Sequence, residues 1–216
     1  ACAPFRRLHL CHHNLETINN TTSTTSDNAK HKLLLEVCYA AIHEGESLRG
    51  QHGQHKQTNQ GTASQLCTVL ARSFADIGDI VRGRDLFRGN DKEKDQRKKL
   101  QQNLKNIFGN IYEELTNKKR KNVDALKTRY KKDPYYYQLR EDWWYANRET
   151  VWKAITCGVS GSHYFRPTCG SDEKNSTQAK NNCRCPKSSG AKDGDQVPTY
   201  FDYVPQFLRW FEEWAE

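Results

Sequence analysis

The sequence predicts an all-α fold, a bundle of long antiparallel helices with short links, and three observations carry that prediction. Apolar residues recur at spacings of three and four through most of the 216-residue chain up to Cys157, with no strand-like alternation there. Three of the five tryptophans fall between Asp133 and Cys157, and so many large rings on one helix require two apolar faces and a position among other helices. Eight cysteines occur without a CxxC, a usage that favours disulfides and an oxidising, extracellular destination.

In chain order, residues 1–27 begin with Cys2 and Cys11 and close in a Thr/Ser/Asn tract, which reads as an irregular cross-linked segment and a linker. Cys11, His12 and His13 are poorly spaced for a tetrahedral ion, and no second ligand pair follows, so structural or solvated histidines are expected. A helix over 28–44 has Leu34, Val37, Cys38, Ala41 and Ile42 as its stripe and Gly45 as its stop. Residues 45–61, with His52 and His55 among glutamines, read as a solvated loop. The next helix, over 62–77, aligns Leu66, Leu70, Phe74 and Ile77, with Cys67 beside them. It leads into DIGDIVRGRDLFRGN at 76–90, where the glycines predict a tight turn system and the alternating charges predict buried Asp–Arg pairing. A phosphate-cradling loop needs a preceding strand and a different glycine pattern.

The clearest periodic pattern spans 94–116, through Leu100, Leu104, Ile107, Phe108, Ile111 and Leu115, and a shorter helix carries Val123, Leu126 and Tyr130. The tryptophan helix follows, with Asp133 as its cap and Pro134 at its first position. Leu139, Trp143, Trp144, Val151, Trp152 and Ile155 are its predicted core residues, and Gly158 after Cys157 is its stop. Residues 158–197 turn rich in Gly, Ser, Lys and Asn and hold Cys169, Cys183 and Cys185. The CRC at 183–185 places two thiols too close to bridge each other in regular structure, so at least one pairs elsewhere. A zinc knuckle with His163 lacks a fourth ligand at usual spacing, and a disulfide-stapled surface insert is expected. The last helix starts at Pro205, with Tyr203, Phe207, Trp210, Phe211 and Trp214 on one side. That aromatic face and the absence of methionine predict an excised fragment.

Apolar residues make up 35% of the chain and charged ones 28%, and mean hydropathy is −0.98. No run has the apolar length needed to span a bilayer, so the fragment is not expected to insert into a membrane. The 11% aromatic share argues against disorder. Of the net +8, the segment 92–132 carries +9, from fourteen Lys and Arg against five Asp and Glu. Lys118, Lys119, Arg120, Lys121, Lys127, Arg129, Lys131 and Lys132 supply its densest part. Such a field attracts polyanions. In an extracellular setting the natural candidate is a sulfated glycan, and the interleaved Glu113, Glu114 and Asp124 weaken the case for nucleic acid. No GxSxG, HExxH or carboxylate dyad points to catalysis, and no cofactor is expected.

Five stretches carry a family resemblance: ACAPFRRLHLC, LLLEVCYAA, DIGDIVRGRDLF, REDWWYANRETVWKAITC and VPTYFDYVPQFLRWFEEWAE. In order, they resemble the landmarks of a Duffy-binding-like domain, more narrowly the alpha class found in erythrocyte membrane protein 1 of Plasmodium falciparum. The resemblance implies a helical bundle with long disulfide-stapled loops. Residues 1–27 would end a first subdomain and 28–158 form the second. Residues 159–197 would be a variable cysteine-containing loop, and 198–216 would open a third subdomain. It also implies a Cys67–Cys157 disulfide, upstream partners for Cys2 and Cys11, and a pairing of Cys169 with Cys183 or Cys185. The implied function is adhesion on the infected erythrocyte, through host receptors or through heparan sulfate-like and blood-group glycans, with rosetting and antigenic variation. The alternative is a structural module of the adhesin head without a ligand of its own. The basic residues named above are then the expected glycan site. Sequons stand at Asn19, Asn20 and Asn175.

Overall fold

The computed structural model describes residues 2–18, 29–58, 66–117, 122–130, 133–170, 176–186 and 196–215. Within them lie eight helices: α1 (Phe5–Leu8), α2 (His13–Glu16), α3 (Ala29–Thr58), α4 (Leu66–Arg82), α5 (Asp91–Leu115), α6 (Val123–Tyr130), α7 (Tyr137–Ile155) and α8 (Gln206–Ala215). A short antiparallel pair, β1 (Pro167–Cys169) with β2 (Thr177–Gln178), lies between α7 and α8. The fold is all-α, as expected, with this small ribbon added.

Helix α7 is the centre of the bundle because it has two apolar faces to bury. It packs along α3 and α4 and also touches α5 and α6. Leu139, Trp143, Trp144, Val151, Trp152 and Ile155 are all buried. Phe74 of α4 sits between two of these rings, 5.1 Å from Trp144 and 5.2 Å from Trp152, while Phe108 of α5 meets Trp143 edge-on at 6.2 Å. Such tilted and edge contacts suit the ring quadrupoles and add about 1 kcal/mol each beyond area burial. Both deepest indoles also satisfy their N–H groups: Trp144 donates to Asp202 Oδ2 at 2.9 Å and Trp152 to the Cys183 carbonyl at 3.0 Å.

The helix ends depart from expectation in instructive ways. Helix α3 runs through Gly45 rather than stopping there and includes the first part of the expected loop. A Cβ at position 45 would stand 2.1 Å from the Ile155 carbonyl oxygen, so the glycine serves close approach of α3 to the end of α7. Helix α4 also continues past Ile77, and Arg82 is its last residue. Gly83, at φ +76°, then provides the left-handed stop. At the start of α7, Pro134 lies in a turn rather than in the first helical position, and Tyr136 precedes the helix at φ 58°. Asp133 still caps, accepting from Gln138 N at 2.9 Å.

The DIGDIVRGRD stretch does hold buried Asp–Arg pairs, with Asp76 and Asp79 on a helix and Asp85 in the loop that follows it. Asp76 receives Arg6 and Arg209, each at 2.7 Å. Asp79 receives Arg209 at 2.6 Å and Arg82 at 2.8 Å, and Asp85 receives Arg7 and Arg97. Arg148 of α7 reaches Asp202 at 2.8 Å. The first of these pairs bind α1, α4 and α8 together, Arg97 adds α5, and Arg148 ties α7 to the segment before α8. Burial alone pushes Asp76 up, but Arg6 and Arg209 outweigh it and hold the carboxyl below its usual range. Asp79 shares Arg209 and lies beside Asp76; there burial prevails and pushes it up to about 6.

The expected Cys67–Cys157 bridge is corrected. Cys67 pairs with Cys183, and Cys169 pairs with Cys185. Cys67 is fully buried on α4, whereas Cys157 follows the last turn of α7 and is exposed, so the two thiols face different surroundings. Cys183 adopts φ 58°, and the neighbouring CRC thiols join different partners. The insert is therefore anchored in the core at Cys183 rather than confined to the surface. Arg184 completes the anchor by donating to the Lys153 carbonyl and the Thr156 hydroxyl, both at 2.7 Å, at the end of α7. Cys2, Cys11, Cys38 and Cys157 carry no disulfide.

Candidate binding surface

The buried ion pairs neutralise one another, so they build the scaffold and leave recognition to the surface. Of the eight basic residues expected to bind a glycan, Lys127 and Arg129 fall on α6; Lys118, Lys119, Arg120, Lys121, Lys131 and Lys132 lie outside the described residues. Lys127 is exposed. Arg129 is committed elsewhere, because its guanidinium grips Asp142 of α7 with two hydrogen bonds of 2.6 and 2.7 Å. Tyr130 donates to the same carboxylate at 2.8 Å and Gln138 at 3.2 Å. The Arg129 bonds, with those from Tyr130 and Gln138, hold Asp142 below its usual range. Arg129 therefore straps α6 to α7 and is a weaker free cation than the sequence suggests.

Beside this strap, α3, α5, α6 and α7 enclose a cleft of about 340 Å³. Leu34, Ile111, Leu115, Leu139 and Trp143 form its apolar floor, and Lys30, His31, Asp142 and Asn147 stand at its rim. Lys30 meets Glu114 at 3.3 Å.

The neighbouring edge, where the start of α7 meets α5, was not legible as a site in the sequence. Tyr136 turns inward, 5.8 Å from Tyr112, which leaves Tyr135 and Tyr137 outside at 52% and 47% exposure. Their rings are stacked, 5.7 Å apart and 28° from parallel. Lys105 of α5 places its amine 5.0 Å from the Tyr135 ring, and Arg140 lies 5.8 Å from the Tyr137 ring. Arg140 is buried and donates to Gln101 at 3.1 Å, while its Nε and Nη2 have no hydrogen-bond partner among the described residues. Burial lowers it to about 10, which still leaves it charged at neutral pH. The YYY run after Asp133–Pro134 was the available signal.

A second exposed apolar face belongs to α8. Trp210 points into the core, Phe207 and Phe211 point to solvent, and half-exposed Trp214 lies 6.4 Å from the Phe5 ring and donates to the Cys2 carbonyl at 2.9 Å, so the expected aromatic side of this helix is split. Near α2, His12 has a structural role: Nδ1 is 2.7 Å from the Leu10 carbonyl, and Nε2 is 3.2 Å from Glu16.

Known proteins resemble this chain in sequence and fold. The Duffy binding domain model matches residues 1–209. The chain is 42% identical to the NTS-DBL1(alpha-1) domain of Plasmodium falciparum membrane protein 1 (PfEMP1) of the varO strain. That likeness has a TM-score of 0.72 and covers 100% of this chain and 43% of that one. A PfEMP1 DBLbeta domain solved bound to ICAM-1 is 35% identical, with a TM-score of 0.67, over 100% of this chain and 44% of the other. The Duffy receptor beta form of Plasmodium knowlesi is 25% identical over 219 residues, which are 99% of this chain and 14% of that protein.

Proposed function

Because the chain belongs to the Duffy binding domain family, we propose that it is a host-cell adhesion module of an infected-erythrocyte surface antigen. The observation that carries this reading is likeness along the whole chain to PfEMP1 domains, one of them solved bound to ICAM-1. The partners are erythrocyte or endothelial receptors and sulfated, heparan sulfate-like or blood-group glycans, engaged in cytoadherence and rosetting by an antigenically variable protein. The basic segment 92–132 supports the sulfated-glycan choice, with Lys118–Lys121, Lys127, Lys131 and Lys132 as its cationic field and Arg129 as a structural border. No helix among the described residues is long and apolar enough to cross a membrane.

A second reading, a structural module that supports neighbouring adhesin domains, is favoured by the exposed Phe207, Phe211 and Trp214 of α8. The two separate in a cell-binding assay. Labelled protein should bind erythrocytes or endothelial cells in a concentration-dependent way, and heparan sulfate-degrading enzyme should reduce that binding. No binding to either cell type, by protein that is folded and oxidised, would favour the structural module.

A further inference from the structure

We propose that the stacked Tyr135–Tyr137 pair, with Lys105 over one ring and Arg140 behind the other, is a docking platform for a sulfated pyranose unit. This rests on the glycan reading above and adds to it residues that the basic cluster does not include. Single exposed aromatics are ordinary, but this pair is held in place. Tyr136 is fixed against Tyr112, and Gly83 leaves the space that Tyr137 and Arg140 occupy: a Cβ there would meet them at 2.9 and 2.4 Å. The rings are thus ordered before any ligand arrives, which reduces the entropy lost on binding.

Charge complementarity selects the ligand. No carboxylate is ion-paired with Lys105 or Arg140 among the described residues. The acids at the edge are already engaged: Asp133 accepts from the backbone of Tyr135 and Gln138 at 3.2 and 2.9 Å, and Glu141 takes Arg84 at 2.6 Å. A pyranose offers a flat C–H face to an aromatic ring, and its sulfate oxygens accept from an ammonium group. A nucleobase also stacks on tyrosine. The two disulfides, however, mark an oxidising compartment, where sulfated sugars are the fitting polyanions.

The test uses the full chain and two probes, a heparin hexasaccharide and the same sugar chemically desulfated, titrated by calorimetry at several salt concentrations. Tyr135→Leu should weaken hexasaccharide binding about tenfold without changing the salt slope. Lys105→Gln should lower the slope of log affinity against log salt by about one. The desulfated probe should bind more weakly than the sulfated one. Both side chains are at the surface, and thermal melting verifies that each variant folds. Wild-type affinity and slope in both variants, together with loss of binding in a Lys118→Glu/Lys119→Glu variant, would overturn the platform and leave the glycan reading standing. Failure of the wild-type chain to bind the sulfated probe would overturn both.

Discussion

Asp202→Ala probes the link between the tryptophan helix and the segment before α8. The carboxylate is buried and accepts from Arg148 Nε at 2.8 Å, Arg148 Nη2 at 2.9 Å and Trp144 Nε1 at 2.9 Å. Its removal leaves a buried guanidinium without its carboxylate and a buried indole N–H without its acceptor. Breaking a buried pair from one side costs about 3–5 kcal/mol, and the orphaned indole adds about 1–3 kcal/mol. Arg148 keeps the Thr199 carbonyl at 2.7 Å, which favours the lower end, so a loss of about 4 kcal/mol is expected. Against a typical domain stability of about 5–15 kcal/mol, that is a large fraction. The assay is urea unfolding of oxidised protein followed by helical circular dichroism, because the variant alters the tryptophan environment itself. The double variant Asp202→Leu/Arg148→Met should recover much of the loss by removing both charges. A single-variant loss below about 1 kcal/mol, or a double variant no better than the single, would refute the assignment of this pair to the scaffold.

Three further outcomes follow from the same geometry. Cys67→Ser should destabilise the protein by about 4–5 kcal/mol, because the bridge to Cys183 closes a long loop, while Cys157→Ser should be nearly neutral; non-reducing peptide mapping and urea unfolding check both. Alkylation should reach exposed Cys157 before Cys11, whose thiol burial and Glu44 push up to about 11; mass spectrometry of timed samples reads the order. The depressed Asp76 carboxyl contributes stability that is present above the ordinary carboxylate value of 3.8 and lost as pH falls through the lower folded value. Asp76→Asn should therefore flatten the acid limb of stability below about pH 4, and an unchanged limb would contradict the assignment.

The sequence made the helical bundle legible because its signals are local. Leu100 to Leu115 and the faces of α7 repeat at helical spacing, and the structure buries the residues so marked, Leu115 only in part. The Asp–Arg pairing was legible from charge alternation, although its helical setting was not: glycine at 78 reads as a breaker until the Trp144 ring packed against it is seen. Disulfide connectivity was not legible, because it depends on how Cys183 at φ 58° is placed beside α4. Gly45 likewise reads as a stop, and only the approach of Ile155 reveals its role. At the surface, composition identified the basic segment but could not show that Arg129 is held by Asp142. Nor could it show that Tyr136 turns inward while its two neighbours stack outside.

The central claim, that this scaffold presents a cationic surface to sulfated host glycans, is tested most directly by heparin-column elution. Wild-type chain is compared with a variant carrying charge reversals at Lys118, Lys119, Arg120 and Lys121. The wild type should be retained and elute with rising salt, and the variant should elute at markedly lower salt with an unchanged helical spectrum. Equal elution of the two proteins, or passage of the wild type without retention, would contradict the claim.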